Sequence, residues 1–223
     1  ASKRIMELFM FKESNKINVT SARFANVLFS DGSLLYSFNQ RISKKQPIVA
    51  PLDIKRYFIS RNQAAELCLI AALEGNNRDI FFPKLNSKND LKSFKGIVLS
   101  YLKEKGLSPI ECKTEQDARN MIIKNKNKDM WPCFFSSSET TGEKPFEEFY
   151  SLKESINLSR YSTIGVVENP EIMEFKNINR FKVEIENFKK RKKWKRDDII
   201  QIFKNTLSEF DHIEKNKFLD DKM

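Results

Sequence analysis

Ser21-Ala22-Arg23-Phe24-Ala25-Asn26-Val27-Leu28-Phe29-Ser30-Asp31-Gly32-Ser33 decides how the rest of this chain is read. The stretch predicts a buried strand that breaks into a glycine-containing turn and then opens a helix. Ile17, Val19, Ala22, Phe24 and Val27 supply the apolar side of a strand expected over Ile17 to Phe24. Gly32 permits a tight backbone, and Ser33 is placed to cap a helix running through Leu34, Leu35 and Phe38. Strand-to-helix corners are where α/β proteins place ligands, because backbone N–H groups and the helix N-terminus face anions there.

Outward from this corner, βα alternation continues. Ser2 to Lys12 has helical spacing. Ser33 to Lys45 reads as a helix stopped by Pro47, and Arg56 to Ile59 as a short extended piece. Ser60 and Gln63 form a capping box for a helix that buries Ala64, Leu67, Cys68, Ala71 and Ala72 and ends at Gly75. Asp79 to Phe82 is a short strand closed by Pro83. Asp90 to Lys105 predicts a helix with Gly106 just past its end. Pro109 to Cys112, a helix capped by Thr114, and Trp131 to Phe135 form a second βα pattern. Ile164 to Val167 is a last short strand. Asn169-Pro170 then opens a helical tail, with apolar periodicity through Ile178, Phe181, Ile185 and Phe188, restarted at Asp197. The expected organisation is an α/β region over 1–168 and a helical extension over 169–223.

Composition narrows the possibilities. Apolar residues make up 40%, enough for a core, and Phe occurs 19 times against six Gly. The net charge is +10, and seven of those charges lie in Lys189 to Arg196 (Lys-Lys-Arg-Lys-Lys-Trp-Lys-Arg). Without that run the chain is close to +3, which requires no polyanion. The run itself could meet nucleic acid or anionic lipid, or simply be a solvated junction between helices. No nucleic-acid partner is expected. Cys68, Cys112 and Cys133 share no Cys-x-x-Cys spacing and read as reduced, buried thiols of a cytoplasmic protein. The longest apolar run, Leu67 to Leu73, falls far below the ~20 residues of a membrane span. His212 is the single histidine, and no metal site can be built around it.

Arg-Phe-x-Asn-Val-Leu-x-Ser-x-Gly-Ser (23–33) resembles the strand and substrate loop of extended short-chain dehydrogenase/reductases. The nearest subgroup is the nucleotide-sugar 4,6-dehydratases of bacterial polysaccharide biosynthesis. Four further segments match in order. Ala1-Ser2-Lys3-Arg4 resembles the end of the Tyr-x-x-x-Lys (or Met-x-x-x-Lys) catalytic helix. Asp53-Ile54-Lys55-Arg56-Tyr57-Phe58 resembles an Asp-x-x-Arg-Tyr-Phe segment. Thr141-Gly142-Glu143-Lys144 resembles a Pro-Gly-Glu-Lys motif, and Phe218 to Met223 a Leu-Asp-x-Lys-Met ending.

The resemblance implies the C-terminal part of an extended Rossmann-type fold with a helical C-terminal appendage. It also implies an NAD(P)-dependent parent enzyme acting on a UDP- or GDP-linked N-acetylhexosamine. In that family a hydride leaves C4, water leaves across C5 and C6, and the hydride returns to C6. Lys3 would hold the cofactor ribose and act in catalysis; Asn26, Arg56 and Lys144 would hold the nucleotide diphosphate. A homo-oligomer is the expected assembly. The departures are also informative. Phe29 and Asp31 replace a common Gly and Arg, Thr140-Thr141 precede Gly142, and Phe146 stands where His is common. No Gly-x-x-Gly-x-x-Gly or Gly-x-Gly-x-x-Gly occurs in the 223 residues. The expectation is therefore a chain with substrate-side elements and without the dinucleotide cradle, catalytically silent and poorly soluble alone. A sister epimerase or reductase, and a non-catalytic fragment, remain open alternatives.

Overall fold

A computed structural model describes residues 1–125, 127–138, 146–168, 170 and 175–212. The first half of the chain carries α1 (Ser2–Lys12), β1 (Ser21–Ala22), β2 (Asn26–Val27), α2 (Leu34–Ser43), β3 (Ile48–Pro51), β4 (Lys55–Arg56), β5 (Phe58–Ile59) and α3 (Arg61–Glu74). The second half carries β6 (Ile80–Pro83), β7 (Lys92–Ser93), α4 (Phe94–Glu104), β8 (Ser108–Cys112), α5 (Glu115–Lys124) and β9 (Met130–Ser136). It ends with β10 (Ile156–Asn157), β11 (Ile164–Val167), α6 (Phe175–Arg191) and α7 (Arg196–Thr206). This is a mixed α/β fold with parallel strands and a helical C-terminal end, as the Rossmann-type reading requires.

The chain divides into two compact units that interleave in sequence. One holds 1–23, 66–84 and the described part of 149–214; the other holds 24–65 and the described part of 85–148.

The first unit is built on the four-stranded sheet β1-β6-β11-β10, with β1 parallel to β6 and β11 antiparallel to it. Its central strand β6 reads Ile-Phe-Phe-Pro, and successive side chains point to opposite faces. Phe81 packs with Leu67 and Ala71 of α3 and with Val166. Ile80 and Phe82 pack with Phe11 of α1 and with Val167. Helices thus cover both faces, which explains a strand with no polar side. Each of these fully buried side chains contributes roughly 1.5–3 kcal/mol. Gly165 is required by contact: a Cβ there would lie 2.3 Å from the Phe82 ring. The tail helices close onto α1 through Ile5, Leu8, Ile178 and Leu207.

The second unit carries the parallel sheet β3-β9-β8, with β8, α5 and β9 forming the predicted βα unit. Leu35 and Phe38 of α2 and Val98 and Leu102 of α4 bury against Ile48, Ala50, Cys133 and Phe135 of the sheet. The predicted caps hold at Ser33 and Thr114, whose side chains accept from Tyr36 and Asp117 N–H, and Ser93, which was not foreseen as a cap, accepts from Gly96 N–H. Ser60 and Gln63 close their reciprocal box at 2.7 and 3.1 Å.

Three expectations fail. The helix expected from Asp90 begins only at Phe94, because Lys92–Ser93 pair with β4 as a strand. The strand predicted over Ile17 to Phe24 shrinks to Ser21–Ala22, and the next pairing, Asn26–Val27, belongs to a different sheet. Ile17 and Phe24 are 64% and 44% exposed. The alternation was real, but the chain leaves one sheet at Arg23 and joins another at Asn26, so no single apolar side exists. Cys68 is exposed rather than buried, because α3 faces the sheet along Leu67 and Ala71 only. Cys133 is buried, and burial pushes its thiol up to about 12.

Candidate substrate site

Two parallel strands set the site. Asn26 N–H donates to the Tyr57 carbonyl at 3.0 Å and Leu28 N–H to the Ile59 carbonyl at 2.9 Å, locking β2 onto β5. The turn that follows is held by Ser33 N–H on the Ser30 carbonyl at 2.9 Å. Gly32 adopts φ +72° and Phe29 φ +55°. That value suits glycine and strains phenylalanine. It persists because Arg61, at the start of α3, donates to the Phe29 carbonyl while Leu28 is fixed by the ladder.

Asn26 and Arg56 come together around one carboxylate. The Asn26 amide donates to the Tyr57 carbonyl at 3.1 Å and to Glu147 Oε2 at 2.9 Å. The same carboxylate approaches Arg56, with Nε 3.7 Å from Oε1. Arg56 also donates to the Lys55 carbonyl and lies over the Phe94 ring, 5.8 Å from its centroid. Its backbone is pinned by β4–β7 pairing with Lys92. A planar guanidinium and an amide flanking one acidic group form a donor set for an oxyanion. Here the Glu147 carboxylate takes the place such an anion would fill.

Two cavities adjoin this group and share Leu28, Phe29, Leu35 and Phe58 as walls. The smaller, about 230 Å³, runs along the turn from Asn26 to Ser33. The larger, about 860 Å³, reaches Lys92, Tyr101 and Lys105. Tyr101 Oη donates to Asn39 Oδ1 at 2.6 Å in its wall, and burial raises the Tyr101 pKa. The volume is that of a small-molecule site: mostly apolar, with a few polar groups that can orient a ligand.

Lys3 lies elsewhere, exposed on α1 in the first unit. Lys144, with Gly142 and Glu143, lies outside the described residues, as does the Phe218 to Met223 match. Glu147, Phe94 and Arg61 were not foreseen as site residues. Arg61 sits beside the predicted capping box and Phe94 beside its neighbour's cap, but neither position announces contact with residues thirty or more places away. The sequence also put Arg23 in the same motif as Asn26. The structure separates them: Arg23 is a buried ion-pair centre of the first unit.

Among the described residues no cradle for a dinucleotide pyrophosphate is present. Of the described glycines only Gly32 and Gly106 have positive φ, and neither is followed by glycines at the motif's spacing. At the Gly32 turn Phe29 and Asp31 occupy flanking positions, and the Asp31 carboxylate opposes phosphate.

An uncharacterized membrane protein of Methanocaldococcus jannaschii is 28% identical over 160 residues, covering 71% of this chain and 42% of that protein. The X-ray structure of Pen from Bacillus thuringiensis superposes with a TM-score of 0.53 at 18% identity, over 74% of this chain and 46% of its own. This chain thus spans less than half the length of either, and at that identity the second likeness concerns the fold alone. Residues 1–169 match the sequence profile of the polysaccharide biosynthesis protein family, and the chain belongs to that family.

Proposed function

We propose that this chain is the substrate-binding part of a nucleotide-sugar 4,6-dehydratase acting on a UDP- or GDP-linked N-acetylhexosamine. The observation that carries the reading is that Asn26 and Arg56, from two separate strand pairs, reach one carboxylate beside cavities with volume for a nucleoside and a sugar. The diphosphate would replace Glu147 between Asn26 and Arg56. The walls shared by the two cavities would take the ligand's flatter, less polar part. Family membership supports a role in polysaccharide biosynthesis. NAD or NADP would supply the hydride chemistry in the whole protein. From this chain only Lys3 would reach it, at the ribose, and no step through the cofactor is derived from these residues.

Thermal denaturation with UDP-N-acetylglucosamine, GDP-mannose and UDP tests the reading. At one hundred times Kd a ligand raises stability by about 2.7 kcal/mol. A nucleotide sugar that stabilises the wild type and fails on Arg56→Ala supports it. Equal stabilisation of both proteins, or of neither, removes it.

A further inference from the structure

Seven cations and no acid occupy the eight residues from Lys189 to Arg196, where α6 ends and α7 begins. Every one of the eight is exposed, and Trp194 is 54% exposed. Among the described side chains elsewhere on α6, Arg180 pairs with Glu184 at 2.6 Å, and Lys182 lies 3.9 Å from Glu186. Among the described residues, none of Lys189 to Lys193 is ion-paired. A field of unpaired like charge repels itself, and a closely spaced array of anions relieves that repulsion.

The backbone adds an independent observation. Lys192 takes φ +53°, with its N–H on the Phe188 carbonyl at 3.0 Å, so it terminates α6 in the left-handed position that glycine fills most easily. The chain places a cation where glycine would fold with less strain.

We infer that this turn is a docking surface for an anionic lipid bilayer. Trp194 stands off the helices amid the cations, and an indole flanked by lysines suits the headgroup layer of a membrane. Single-stranded nucleic acid calls instead for several aromatic platforms along a groove, and this run has one. The binding is superficial. The apolar face of α6 is already used, with Ile178 and Phe181 packed among Leu8, Phe203 and Phe210, so the helix has no free face to insert. Attraction by headgroups, with the indole as anchor, implies strong salt dependence: the screening length falls from about 10 Å at 0.1 M to about 3 Å at 1 M salt.

Sedimentation of the full chain with vesicles of phosphatidylcholine alone, or with about 30% phosphatidylglycerol, tests this. The anionic vesicles should bind, the neutral ones should not, and about 0.5 M salt should release the protein. Each cation near an anionic surface is worth about fivefold in affinity, so Lys190→Glu with Lys193→Glu should weaken binding at least fiftyfold. Trp194 emission should shift to the blue on the vesicles, and the shift should vanish in Trp194→Ala. Lys192→Gly should keep or raise the melting temperature while lowering vesicle affinity severalfold, which separates the charge from folding. Equal binding to both vesicle types, no binding at all, binding unchanged by the double reversal, or tighter binding to a single-stranded RNA oligonucleotide each overturns the inference.

Discussion

Arg23 and Arg56 are two arginines of one short stretch of chain with opposite fates. Arg23 spends all five N–H groups: on Glu7 Oε1 and Oε2 at 3.2 and 2.7 Å, on both oxygens of Glu154 at 2.9 and 2.7 Å, and on the Phe149 carbonyl at 2.7 Å. Burial works against its charge, and the hydrogen bonds to Glu154 and Glu7 outweigh it, so its pKa is raised. Among its contacts, Arg56 approaches the partly exposed Glu147 carboxylate at 3.7 Å, donates to the Lys55 carbonyl and lies over the Phe94 ring, itself a wall of the smaller cavity. Saturated, bidentate geometry marks an arginine that holds the fold together. A longer contact with an exchangeable carboxylate marks one set for a ligand.

Substitution should separate the two roles. Arg23→Ala leaves Glu7 and Glu154 largely buried with Arg4 as their remaining cationic partner and should cost about 3 kcal/mol, read as a fall in melting temperature. Arg56→Ala should cost less stability than Arg23→Ala and reduce nucleotide-sugar affinity about 10- to 100-fold by calorimetry. The comparison is reversed if Arg56→Ala unfolds the protein while Arg23→Ala melts normally. Acid probes the first arginine more gently. Burial acts to raise the Glu154 pKa, but the bond and charge of Arg23 prevail and lower it. Its stabilisation is therefore complete above the ordinary glutamate value near ~4.3 and is lost as pH falls through the lower folded value. Melting curves in mild acid should show that loss, and Arg23→Ala should abolish it.

The smaller effects sharpen the site. Phe29→Gly relieves the positive φ and should raise stability by up to about 1 kcal/mol while weakening nucleotide-sugar binding, because a shared cavity wall is gone. Loss of stability instead would show that packing outweighs backbone strain there. Glu147→Gln removes the internal carboxylate and should raise the affinity for UDP about threefold. Unchanged affinity would mean that Glu147 does not occupy the phosphate position.

Local signals in the sequence were read well where one residue decides the outcome. Ser33, Ser60 and Thr114 sit at helix starts as their side-chain chemistry requires. Gly106 ends α4 with φ +70°. The Ile-Phe-Phe-Pro strand announced its two-sided burial through the lack of any polar residue. The run from Ile17 to Phe24 misled because alternation reports a face without saying whether one sheet continues along it. Cys68 misled because an apolar helix segment does not reveal how wide its buried stripe is.

By itself, the order of residues determined most of the helices, the caps at Ser33, Ser60 and Thr114 and the concentration of charge at Lys189 to Arg196, since each depends on neighbours within a few positions. Only the tertiary structure decided that Arg23 turns inward to Glu7 and Glu154 while Asn26 and Arg56 converge on Glu147. Those partners lie 16, 131 and 121 residues away for the recorded hydrogen bonds. Pairing over such separations is set by which strands share a sheet, and no local pattern encodes that choice.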